Sequence, residues 1–117
     1  MTAITINWNL IENERIGRHH ISRCDDHIHV FGNDRTFPVP SGWRLIDAFI
    51  GLVDTDPSRS RMELPKGQVD VYLPTNTLLA IGDIVPNGVE TVRVETPLAQ
   101  GVSNWAGIKL VFKKSTS

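Results

Sequence analysis

All four histidines and the only cysteine of this 117-residue chain fall between His19 and His29, with Asp25 and Asp26 among them. Neutral imidazole and thiolate are the usual ligands of zinc, copper and iron. A His-x-His pair on a strand also turns both rings to one side. His27-Ile28-His29 is such a pair. A thiol beside an imidazole is the raw material of a nucleophile and its base, and Cys24 with His27 is the one such pair the chain can assemble. No histidine follows His29, so any triad-like arrangement must take its base from this stretch. The plainer readings are a solvated strand face that happens to be rich in histidine, or a surface whose charge responds to pH.

The elements that would position these groups follow from alternation. Residues 18–23 and 27–31 place β-branched and apolar residues at every second position, and Asp25-Asp26 between them is turn chemistry. A two-residue loop sets Cys24 opposite His27, Ser22 opposite His29 and His20 opposite Phe31. Ile21, Ile28 and Val30 then share the other face with Arg23. A three-residue loop would put Ile28 beside Ser22 and mix the faces, so register favours an even loop. Side chains on adjacent strands lie about 5 Å apart at Cβ, close enough for three of them to reach one ion. The expected metal set is His20, His27 and His29, with Cys24 as a further ligand and zinc as the ion.

Around the hairpin, bulk properties narrow the classes. The length fits one β-rich domain spanning 1–117, able to bury a core without staples. Net charge is −1 and no run of Lys and Arg exceeds Lys113-Lys114, so the footprint of a nucleic-acid binder is missing. One cysteine rules out an intrachain disulfide and every multi-cysteine zinc motif. The N-terminal residues lack the charged region and apolar core of a signal peptide. The apolar run Leu45–Val53 contains Asp47 and is too short to span a bilayer. The expectation is a soluble protein, cytoplasmic or held within an assembled particle.

Valine and isoleucine total 22 against 16 for leucine, alanine and methionine, a balance that favours strands. Residues 2–10 alternate as a half-buried strand, and Asn13-Glu14-Arg15 reads as a polar connection. Arg35–Val39 reads as a short strand ended by prolines. Ser41–Val53 fits one face of a helix capped by Ser41, though a buried central strand has much the same periodicity. In the second half, Gln68–Leu73, Thr77–Ile81, Glu90–Glu95 and Ala106–Phe112 read as strands. Pro86-Asn87-Gly88 reads as a three-residue hairpin loop with Val85 opposite Val89. Together these describe a mainly β protein, a small antiparallel sandwich or barrel with at most one short helix around 42–53. In such a fold the first and last strands often pair.

For function, no carboxylate pair, phosphate loop or complete nucleophile constellation stands out, which weighs against an enzyme. A structural or assembly protein requires no motif, only a stable β domain with edges or apolar patches to offer neighbours. The favoured reading is a non-enzymatic module that oligomerises or docks into a larger complex, such as a viral or phage particle. The partners expected are copies of itself or other protein subunits; neither nucleic acid nor a membrane is expected. The alternative is a metal-binding β-barrel enzyme, or a glycan- or protein-binding module, built on the His20–His29 hairpin. Candidate partner contacts are Trp43 and Phe49 in the apolar segment, Arg59 and Arg61 in the polar stretch after it, and Trp105, which beside Asn104 would suit a sugar face.

Overall fold

The structure is a computed structural model that describes residues 6–51, 69–95 and 107–115. Among the described residues eight strands form two antiparallel sheets. The larger contains β1 (Asn13–Ile16), β2 (His19–Cys24), β3 (His27–Gly32), β8 (Gly107–Lys113) and β5 (Arg44–Gly51), in that spatial order. The smaller contains β4 (Thr36–Pro38), β7 (Thr91–Glu95) and β6 (Asp70–Tyr72). Inward residues of both sheets join one core: Ile21, Ile28, Val30, Leu45, Leu110 and Phe112 from the larger, Phe37, Val71, Val92 and Val94 from the smaller. This is the mainly β, sandwich-like arrangement that alternation implies.

The β2–β3 hairpin has the expected register, with Cys24 paired to His27, Ser22 to His29 and His20 to Phe31. The loop is Asp25-Asp26, and Asp25 takes a positive φ of 54°, a conformation aspartate tolerates better than most residues. β7 turns Val92 and Val94 inward, and β8 does the same with Ile108, Leu110 and Phe112, again as alternation requires.

Other expectations are corrected. The segment read as a helix over 42–53 is β5 as far as Gly51; residues 52–53 lie outside the described set. Its pairing with β8 shifts between Leu45 and Asp47, a bulge that leaves Ile46 as an extra residue. Leu45 and Ala48 therefore share one side, a spacing that alternation without a bulge would forbid and that looks helical in sequence. Residues 6–10 of the expected first strand form a turn closed by Leu10 N–H donating to the Asn7 carbonyl, and the expected connection Asn13-Glu14-Arg15 is instead edge strand β1. Thr77–Ile81 makes a single bridge, Leu78 to Tyr72, and not a buried strand. Pro86–Val89 does turn, with Gly88 at φ 88°, but Val85 bonds Trp43 and Gly42 and does not face Val89. The last strand does not pair with the first: β8 lies between β3 and β5, while β1 pairs with β2.

One pair of residues locks the two sheets together at the hairpin. His19 is cross-strand partner of Gly32, and a Cβ on Gly32 would stand 2.5 Å from the His19 ring. The ring covers the bare glycine backbone and meets Phe37 of β4 edge-on, with centroids 4.6 Å apart.

Candidate functional site

Register sorts the larger sheet into two faces. On the outer face three cross-strand rows run over the strands. The first holds Arg15, His20, Phe31, Lys109 and Phe49; the second holds Asn13, Ser22, His29, Val111 and Asp47; the third holds Cys24, His27, Lys113 and Arg44. Partners in a row point the same way because side chains alternate with period two. The expected site residues His20, His27, His29 and Cys24 therefore lie on one face, joined by Arg15 from the adjacent β1 and by Lys109, Lys113 and Arg44 from strands distant in sequence. His20, Cys24, Lys113, Arg44 and Arg15 are exposed, while His27, His29, Phe31, Lys109 and Phe49 are half-buried.

Two of the imidazoles already have partners. His20 Nε2 lies 2.5 Å from Asn13 Oδ1 across the β1–β2 pair. His27 Nδ1 lies 2.8 Å from Asp26 Oδ1, so the loop carboxylate fixes the ring's orientation. That orienting group was missed in sequence, although Asp26 immediately precedes His27. His29 binds a proton less readily than an ordinary histidine: burial disfavours its charge, and Lys109 and His27 repel it.

Among the described residues no three His, Cys, Asp or Glu side chains converge to hold one ion. Asn13 and Asp26 each occupy one ring nitrogen, so a metal would have to take His20 at Nδ1 and His27 at Nε2. Cys24 is a free, exposed thiol directly across from His27. With Asp26 on the far ring nitrogen, the parts of a Cys–His–Asp arrangement adjoin, without a hydrogen bond from the thiol.

The remaining candidates separate. Trp43 is buried in the core, with the Arg23 guanidinium 5.8 Å from its ring centroid. Arg23 also donates to the carbonyls of Trp8 and Asn9, tying the N-terminal turn against the sheet. Phe49 is on the outer face, half-buried. Arg59, Arg61 and Trp105 lie outside the described residues.

His19 is the histidine that sequence placed in no set. It is buried, its Nε2 has no hydrogen-bond partner, and burial lowers its proton affinity against the opposing pull of Asp34 and a hydrogen bond with the Thr36 backbone. No helix among the described residues is long and apolar enough to cross a membrane. Set beside protein-family models, curated proteins and solved structures, the chain matches none.

Proposed function

We propose that this chain is a non-enzymatic assembly module, which joins copies of itself or other protein subunits into a larger complex, a virus-like particle among them. The observation that carries the reading is a set of exposed aliphatic side chains in one short segment. Leu78, Ile81 and Ile84 are 51, 58 and 42% exposed, although each is large enough to favour burial by about 1.5–3 kcal/mol. Asp83–Val85 of that segment bonds along the start of β5, so the patch adjoins a sheet edge. Past Leu45, β5 is the edge strand of the larger sheet, and among the described residues no strand covers its outer side. An apolar patch beside an open edge supports burial against a neighbouring chain.

Native mass spectrometry or light scattering at high micromolar concentration tests this. The expected result is a defined oligomer of the untagged protein that the double substitution Ile81→Glu and Ile84→Glu dissociates without unfolding it. A monomer at that concentration, mixed with no other subunit, would count against self-association.

A further inference from the structure

We propose that the outer face of the larger sheet docks an acidic segment of a partner protein, and grips it more firmly as pH falls below neutral. This surface meets the apolar segment assigned to assembly at one corner, where Arg44 pairs with Ile84 and donates to the Gly82 carbonyl. The chain's net charge is −1, yet this face holds Arg15, Arg44, Lys109 and Lys113 against two carboxylates, Asp47 and the loop's Asp26 on His27. Folding has therefore separated the charges by face. Phe31 and Phe49 flank Lys109 in the first row and supply the aromatic contact that protein interfaces favour.

The histidines make the charge conditional. His29 is faced by Ser22 from β2, with His20 and Cys24 diagonal to it. From β8 it is faced by Val111, with Lys109 and Lys113 diagonal, and from its own strand by His27. His27 is faced by Cys24 and Lys113, with Asp26 on its ring. His20 is faced by Arg15 and bonded to Asn13. The groups around His29 are cationic or neutral, and Lys109 and His27 already oppose its protonation. A carboxylate laid over them removes that opposition, so protonation and docking favour each other.

Carboxylates titrate near 4 and stay ionised while histidine gains charge, which matches an acidic polypeptide to this face over mildly acid pH. Nucleic acid fits less well. Three of the seven basic groups are imidazoles and not the permanently charged Lys or Arg that phosphates favour, and the chain's overall negative charge repels a dense polyphosphate.

The test uses the full chain and two probes, a ten-residue peptide alternating glutamate and valine and a ten-nucleotide thymidine strand. Each is titrated by calorimetry and amide NMR at about pH 7.5 and about pH 5.5. The expected peptide affinity rises roughly tenfold at the lower pH, with shifts on the outer residues of β2, β3 and β8. Lys109→Ala with Lys113→Ala should weaken it about tenfold, and His27→Gln with His29→Gln should flatten its pH dependence. Thermal melts check that both variants fold. Absence of peptide binding at either pH, shifts confined to other surfaces, or indifference to both variants would overturn the proposal. Tighter binding of the thymidine strand than of the peptide would overturn the choice of a protein partner.

Discussion

His19 and His20 are neighbours in sequence and opposites in structure. The inner face of the larger sheet takes His19, buried against Gly32 and Phe37 with one ring nitrogen unpartnered. The outer face takes His20, exposed and bonded to Asn13. One step along a strand reverses the environment, because successive side chains point to opposite sides. Residue type sets what each histidine could do; the face decides which of those things costs free energy. Inside, a proton is a burden on the fold. Outside, it is extra charge to offer a partner.

The contrast predicts where substitutions hurt. Phe112 is fully buried at the centre of the sheet, so Phe112→Ala should cost about 3–5 kcal/mol in urea unfolding. A loss near 1 kcal/mol would mean that the inner face is not the close-packed layer described. An intermediate effect is expected at His19, and it should depend on pH. Below about pH 6.5 an unfolded histidine binds a proton that the buried ring resists, so the unfolded chain takes up more protons and acid favours it. Stability should fall as pH drops from about 6.5, levelling only below the ring's lowered value. In His19→Phe that fall should shrink to the contribution of His29, while stability at neutral pH changes by about 1 kcal/mol in either direction. Equal acid sensitivity in both proteins would place the burden elsewhere. The smallest change is expected outside. His20→Ala loses an exposed hydrogen bond to Asn13, and thermal melts should register about 0.5 kcal/mol. A loss several times larger would show that β1 depends on this contact.

The hairpin was legible because a two-residue turn and a strict alternation leave one register that keeps Ile21, Ile28 and Val30 together. The faces of β7 and β8 followed from the same rule. β5 was not legible, since the extra Ile46 breaks the period on which a strand is recognised and mimics a helical spacing. β1 was missed because Asn13, Glu14 and Arg15 form an exposed edge, where apolar alternation is not required. Leu78 and Ile81 lie in a stretch that reads as a strand, and only tertiary placement puts them outside. The candidate site was half visible: the histidines share a strand pair, but Lys109, Lys113 and Arg44 join them through pairings between distant parts of the chain, which no local pattern reveals.

The place of β8 between β3 and β5 has a consequence for how the protein is made. During synthesis the β2–β3 hairpin and β5 emerge first, and both must wait for Gly107–Lys113 before any strand joins them. Until then the ribosome carries two unlinked fragments, each with an unpaired backbone edge and half of an apolar layer. Pairings of this range close slowly, and such fragments invite misassembly with their neighbours on a polysome. The most hazardous moment in this protein's life would then be the interval just before this linking strand arrives.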